Sequence, residues 1–414
     1  MSCRQPNSFD FRSIITTEDV NTVAKKAIGK HAQVLKYSIH AYSEEKIGFL
    51  SSHLRLDITV KNINFDNSSV KKSFFVKSVP YDYPDQASYI KDTEVFRQET
   101  GFFKDLVPKM SIEYTGDIWG PRCYLIKADA LVLEDLGFQG FKMHPKKLLS
   151  EELIKSGLQA LANLHASSLV IEKQLGRPLI DVYPHVVEQN YFLKTGNQYR
   201  WYCAGVDLAI KIAEDMNLDT TFISDTCEKV FDAIKPSPTK RNVISHGDLW
   251  SNNLMFDDSS PPRCRIIDFQ LIRYSPLAAD VALFLYLCSS RKFRDSKTLE
   301  MMKYYYDNLI KCLKMNPVIE EYPSWEEIID GYEEQKLGAV ITATLYFPTT
   351  LLDSKLGAKI MNNAETYSKF RYEDRRDIVT EIMKINSEYN SILKDIVEEL
   401  VDLSLKLNSS PVLN

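Results

Sequence analysis

The sequence predicts an α+β chain of two lobes: a small antiparallel-sheet N-lobe over residues 1–133 and a large, mainly helical C-lobe over residues 134–414. Three observations carry that prediction. Apolar residues recur with period two up to about residue 136, as in half-buried antiparallel strands. Beyond it they recur at helical spacing. One polar loop interrupts the helices between short apolar runs: Val243-Ile-Ser-His-Gly-Asp-Leu-Trp-Ser-Asn-Asn-Leu-Met-Phe256, followed after a turn by Arg265-Ile-Ile-Asp-Phe-Gln270.

Composition narrows the field. At 414 residues, 44% hydrophobic and 26% charged, the chain is ordinary globular and long enough for one two-lobed domain. A formal charge of −5 leaves no footprint for nucleic acid. Seven scattered cysteines without a C-x-x-C predict reduced thiols in a cytoplasmic protein. Met1 to Arg12 has no apolar core, so no secretory signal is expected. The longest uncharged run, Leu337 to Leu352, is 16 residues with four threonines and a proline, too short and too polar for a membrane span. No membrane or nucleic-acid partner is expected, and a monomer or weak dimer is.

The first helix is predicted over Thr17 to Lys30, with Thr17 as cap, Gly29 as stop, and Val20, Val23, Ala24, Ala27 and Ile28 as one buried stripe. Gly48, Ser51 and Ser52 lie in the next connection, which reads equally as a phosphate-covering loop or an ordinary hairpin. Leu54, Leu56, Ile58 and Val60 alternate with polar neighbours along one strand, and Lys72 to Val79 forms the next. Lys77 follows three apolar residues there; alone it is either a solvent-facing lysine or a phosphate-holding one. A helix is expected from about Ala87 to Leu106, ending before Pro108. Glu99 falls in its apolar sector, whereas Glu94 lies about 140° away and should face water. A buried glutamate needs a cation, and Lys77 is the candidate. Strands are then expected over Ser111–Trp119 and Arg122–Ala128, before Leu131-Val-Leu-Glu-Asp-Leu-Gly137 marks the lobe boundary. The backbone of Glu134, Asp135 and Leu136 could there hydrogen-bond an adenine edge.

In the second lobe Ser150 caps a helix running to about Ile171, on which His165 should be packed and hydrogen-bonded. Helices follow over about 200–216 and 219–234. After the polar loop, a helix spans Val281 to Cys288, with Asp280 either capping it or bracing the loop. Ser324-Trp-Glu-Glu327 reads as a capping box for a helix to about Tyr346, and Tyr372 to Leu407 is helical.

The polar loop carries the chemistry. Asp248 and Asn253 are five residues apart, and Asp268 closes the following strand 15 residues later. That order of acid, amide and acid matches the kinase pattern H-R-D-x-x-x-x-N then D-F-G. Phosphoryl transfer needs a carboxylate to accept the hydroxyl proton, and Mg²⁺ needs only one or two protein side chains beside the phosphates. Asp and Asn are also common turn residues, and a lone H-G-D would be structural more often than not. A hydrolase metal centre is the rival chemistry, but the seven histidines form no H-x-H or H-x-x-x-H cluster. Only nine residues separate Gln270 from Asp280, and no A-P-E follows, which disfavours a peptide substrate.

These residues resemble the ecdysteroid kinase-like family of insects, also called CHK kinase-like, a branch of the choline kinase and aminoglycoside phosphotransferase group. The resemblance rests on Val95-Phe-Arg-Gln-Glu-Thr-Gly-Phe-Phe103, Leu131-Val-Leu-Glu-Asp-Leu136, Leu161-Ala-Asn-Leu-His-Ala166, His246-Gly-Asp-Leu-Trp-Ser-Asn-Asn253 and Ile267-Asp-Phe-Gln270. It implies a two-lobed protein-kinase-like fold and ATP-dependent transfer to a hydroxyl of an ecdysteroid or another small alcohol. Asp248 would be the catalytic base, Asn253 and Asp268 the Mg²⁺ ligands, Lys77 and Glu99 the phosphate-orienting pair, and Glu134 to Leu136 the adenine hinge. One departure stands out: Gly48-Phe-Leu-Ser-Ser52 lacks the polar residue that often follows the glycine. A choline- or ethanolamine-type kinase and a nucleotide-binding pseudokinase are the alternatives. The acceptor should lie against the helical lobe near Trp250; Trp325, Tyr346 and Phe347 could line it too, but read more readily as core.

Overall fold

The structure is a computed structural model that describes residues 11–43, 51–62, 69–81, 90, 95–188, 191–361 and 363–409. Gly48 and Glu94 lie outside the described residues. The chain forms two compact units, Met1–Lys109 with Gly120–Lys142, and Met110–Trp119 with Met143–Asn414. The fold is of the α+β protein-kinase-like class, with a small antiparallel sheet in the first unit and mostly helix in the second.

In the first unit β1 (Ala32–Ala41), β2 (Ser52–Asn62), β3 (Ser69–Ser78), β4 (Cys123–Ile126) and β5 (Ala130–Glu134) form one antiparallel sheet in the order β1-β2-β3-β5-β4. Helix α1 (Thr17–Ile28) packs Val20, Val23 and Ala24 against Leu54, Leu56, Ile58, Val60, Phe74 and Val76. Strand alternation sends Phe75 and Lys77 to the other face. The cap of α1 is Thr16, not Thr17. Its hydroxyl accepts the Asp19 N–H while the Asp19 carboxylate accepts the Thr16 N–H, a reciprocal capping box. The predicted stop at Gly29 holds, at a φ of 131° that favours glycine.

The helix expected to end before Pro108 does not. Helix α2 (Val95–Gly101) continues through a wider π turn, Phe102–Leu106, into a further helical stretch to Glu113. Proline lacks an N–H and crowds the carbonyl four residues back, and a widened turn just before it relieves both problems. Nor is Ser111–Trp119 a strand. Its backbone is held by two asparagine side chains of the second unit, to which this segment belongs: the Asn316 amide bonds both the N–H and the C=O of Thr115, and Asn163 Oδ1 accepts from the Asp117 N–H and the Tyr114 hydroxyl.

The second unit is built on α3 (Glu151–Leu175), capped by Ser150, with α4 (Gly196–Asp215), α5 (Ala279–Cys288), α6 (Arg291–Lys314), α7 (Trp325–Thr350) and α8 (Ser387–Ser409). The two-residue β6 (Lys142–Met143) precedes it in the chain. The uncharged run inside α7 is a buried core helix, and no helix among the described residues is long and apolar enough to cross a membrane. Ser324 caps α7 as expected, but Glu327 reaches Arg241 instead of completing a capping box.

Candidate active site

Two short antiparallel pairings frame the polar loop in the second unit. Strand β7 (Asn242–Ser245) pairs with β10 (Arg273–Pro276), and β8 (Leu254–Phe256) with β9 (Cys264–Ile266). The loop between β7 and β8 starts at His246 and is fixed from below by Asp280. That carboxylate accepts the His246 N–H at 2.5 Å and the Gly247 N–H at 3.0 Å, and faces His165 Nε2 at 3.4 Å. Asp280 therefore braces the loop, and Ala278, not Asp280, is the cap of α5. Burial would raise the Asp280 carboxyl, but the His165 ring facing it and the charge of His165, His246 and Arg273 hold it below the usual carboxylate range. His165 is packed and hydrogen-bonded as expected: its Nδ1 lies 2.7 Å from the Tyr305 hydroxyl.

His246 acts as a second brace. Its Nε2 lies 2.9 Å from the Ile267 carbonyl, which can only accept, and its Nδ1 receives the Asp248 N–H at 3.3 Å. Those two partners fix the neutral Nε2–H tautomer. Gly247 has φ of 76°, and a Cβ there would meet the Leu271 carbonyl oxygen at 2.2 Å. Only glycine fits between the histidine and the acid.

The structure brings Asp248, Asn253 and Asp268 together. Asn253 Nδ2 donates to the Asp248 carbonyl at 2.7 Å and to its carboxylate at 3.1 Å, while the Asn253 carbonyl accepts the Ile267 N–H at 2.9 Å, next to Asp268. With its amide nitrogen committed, Asn253 has its amide oxygen left to offer a cation. Asp268 adopts φ of 67°, a left-handed conformation that costs a non-glycine residue about 1–2 kcal/mol and recurs at functional sites. Burial pushes the Asp248 carboxyl up, Asp268 adds to the rise, and the Asn253 amide, Arg273 and Trp250 offset it only in part, so that it reaches about 8. An acid whose charge raises its neighbour's carboxyl marks a place that suits a cation. Among the described residues no three His, Cys, Asp or Glu side chains gather as a metal cage, so a metal here would take water or phosphate oxygens as well. That is the habit of Mg²⁺.

In the first unit Lys77 Nζ lies 2.6 Å from Glu99 Oε2, with both side chains almost fully buried. The expected pairing of Lys77 with Glu99 is present. Ser51 is buried with its hydroxyl 2.7 Å from His53 Nε2. Asp135 is committed to the sheet: its carboxylate accepts from Ser73 at 2.7 Å, Tyr42 at 3.0 Å, Arg55 Nη2 at 3.1 Å and the Phe138 N–H at 3.1 Å. Burial would raise its carboxyl, but those donors hold it below the usual range. Glu134 accepts the Arg122 N–H, and the Leu136 carbonyl accepts from Gln139 and Phe141. Of this stretch only the backbone is left for a ligand, and not all of it.

Two features escaped the sequence reading. Lys147 donates to Asn252 Oδ1 at 2.7 Å and lies 5.3 Å from the Trp250 ring centre, so that Trp250 is held by a cation rather than left open. Arg273 opens β10 beneath the loop, and its signal was an arginine between Ile272 and Tyr274 in an apolar strand, the same anomaly that singled out Lys77.

The fold and the loop define a protein of the protein-kinase-like class. The sequence profile of the ecdysteroid kinase-like family matches residues 47–317, which is 271 of 414 residues, and the chain belongs to that family. It is a small-molecule kinase by that membership. Among solved structures it is similar to an ethanolamine kinase of Plasmodium vivax (10% identity, 92% of this chain and 86% of that one, TM-score 0.42). It is also similar to a microcompartment-associated aminopropanol kinase (12%, 84% and 97%, 0.41) and to a macrolide 2′-phosphotransferase of Brachybacterium faecium (12%, 85% and 96%, 0.37). No curated protein matches the chain.

Proposed function

We propose that the protein is an ATP-dependent O-kinase that transfers the γ-phosphoryl group to a hydroxyl of a small alcohol, with an ecdysteroid as the acceptor its family suggests. Residues 1–133 would bind the nucleotide and residues 134–414 would carry the catalytic loop and the acceptor. The observation that carries the reading is the contact of Asn253 with Asp248, together with the like-charge influence of Asp268 on Asp248.

Asp248 would receive the proton of the acceptor hydroxyl. As that oxygen bonds to the terminal phosphorus, the bond to the β-phosphate oxygen breaks and ADP leaves. A carboxyl raised above its ordinary value is a stronger base once ionised, which suits this task. Mg²⁺, which the Asn253 amide oxygen and the Asp268 carboxylate would hold, supplies charge neutralisation at the phosphate oxygens. Lys77, oriented by Glu99, would hold the α- and β-phosphates; Gly48 and Ser51 would approach them from the preceding loop. The backbone of Glu134, Asp135 and Leu136 would meet the adenine. The six described cysteines are all free, in keeping with a cytoplasmic location.

The test is transfer of labelled γ-phosphate from ATP to a panel of sterols, amino alcohols and glycosides, with Asp248→Asn alongside. Wild type should phosphorylate at least one neutral alcohol and the variant almost none. Equal turnover in both would remove Asp248 from the mechanism.

A further inference from the structure

Arg273 is a buried charge with no ion-pair or hydrogen-bond partner for its side chain among the described residues. It opens β10 opposite Ser245, and its guanidinium carbon lies 3.6 Å from the point a Cβ on Gly247 would occupy. The residue is 7% exposed. Its Nε has no hydrogen-bond acceptor, and among the described residues the guanidinium forms no ion pair. The charged and polar groups whose field it feels are Asp280, Tyr346 and Asp248. Asp280 is already engaged by two backbone N–H groups and faces His165, and Asp248 accepts from Asn253. Neither lies close enough to pair with the arginine.

A buried guanidinium keeps its charge and presents its donors in a rigid planar fork, so leaving it unpaired is costly where an apolar residue of similar volume would not be. Such an arrangement makes sense when an incoming group completes the fork. The surroundings say what kind of group. Tyr346 feels the field of both Asp248 and Arg273, and its ring stands 6.1 Å from Tyr191 and 5.8 Å from Trp201, so an aromatic cluster lies within reach of both charges. Oxygen acceptors and apolar carbon are welcome in that corner. An ammonium group, facing a fixed cation, is not.

We propose that Arg273 binds the acceptor alcohol by donating to a second oxygen, whether hydroxyl, carbonyl or carboxylate, carried near the hydroxyl that Asp248 would deprotonate. The site thereby selects oxygen-rich neutral or acidic alcohols over amino alcohols. This rests on the reading of Asp248 as the base, and adds to it the substrate class.

The experiment uses the full chain as wild type, Arg273→Gln and Arg273→Lys, with ecdysone, choline and ethanolamine as probes. Phosphoryl transfer is measured beside calorimetric binding of each probe, and thermal melts report folding. For wild type, ecdysone should be the preferred acceptor. Arg273→Gln should raise its KM and Kd about 10- to 100-fold, the loss expected for one charge-assisted hydrogen bond, with the ATP KM little changed. Arg273→Lys should recover part of that loss. Three results would overturn the proposal: a folded Arg273→Gln chain with unaltered ecdysone affinity, an equal fall in kcat for every acceptor with KM unmoved, or a wild type that prefers choline or ethanolamine. Should no probe be phosphorylated, the kinase reading fails separately. Binding then still decides: weaker ecdysone binding by Arg273→Gln supports the proposal, and equal binding, or none to wild type, overturns it.

Discussion

The floor of the polar loop and its mouth each hold a buried aspartate, and the two behave oppositely. Asp280, on the floor, accepts two backbone N–H groups, faces a histidine ring, and is held below the usual carboxylate range against the pull of burial. Asp248, at the mouth, has the Asn253 amide and the Trp250 side chain on its carboxylate and a second acid for a neighbour, and is pushed up to about 8. Burial is common to both, so burial does not decide the outcome. The neighbours do: His165, His246 and Arg273 lower Asp280, whereas Asp268 raises Asp248. The acid that holds the backbone is favoured as the carboxylate and the acid proposed as the base is not, a separation typical of sites where two carboxylates serve different tasks.

The contrast can be broken most forcefully at the mouth. Asp248→Asn should cut phosphoryl transfer by about 10³- to 10⁴-fold while leaving the chain folded. It should also stabilise the metal-free protein. An acid whose folded pKa is above its unfolded value of about 3.9 weakens the fold as pH rises from about 4 to about 8, because the unfolded chain ionises first. Urea titrations should therefore find the variant more stable than wild type at pH 8, with the gap closing towards pH 4. A wild type as stable at pH 8 as its variant would erase the distinction between the two aspartates.

On the floor the sign reverses. Asp280→Ala leaves the His246 and Gly247 N–H groups without an acceptor and should cost roughly 3–5 kcal/mol, read from denaturant midpoints. Because the folded pKa of Asp280 is depressed, its contribution is complete above about pH 4 and is lost as pH falls below that; Asp280→Asn should flatten the acid limb of the stability profile. Between floor and mouth, Gly247→Ala should cost at least about 1–2 kcal/mol from its left-handed backbone alone. Its contact with the Leu271 carbonyl should displace Asp248 as well, so turnover ought to fall more than stability. The gentlest change is Asn252→Ala, which frees Lys147 beside Trp250: a melt shift worth about 0.5–1 kcal/mol is expected, with little effect on kcat.

Legibility in the sequence followed the range of the forces involved. The strands with Leu54, Leu56, Ile58 and Val60 were readable because a period-two pattern is local and one face is buried. Asp248, Asn253 and Asp268 were readable because their spacing is short and their chemistry rare in combination. Glu99 was placed on a buried face by helical geometry alone, and its partner followed from the cost of burying a charge. What failed was long-range. The alternation in Ser111–Trp119 looked like a strand, yet Asn163 and Asn316, far along the chain, take its backbone groups instead. Pro108 looked like a stop, and only the π turn before it shows otherwise. Asp280 was left between two roles because nothing local says which backbone N–H groups it will meet.

That ten-residue thread from Met110 to Trp119 has a consequence for how the protein can be taken apart. It belongs with the unit bearing the polar loop although the chain returns to the sheet immediately afterwards, and the Trp119 carbonyl also accepts the N–H of Ile266 in β9. No single peptide bond therefore separates the two units. A nick near residue 142 would leave the downstream fragment dependent on a splint carried by the upstream one, and a version beginning at residue 143 would expose Asn163, Asn316 and an edge of β9 at once.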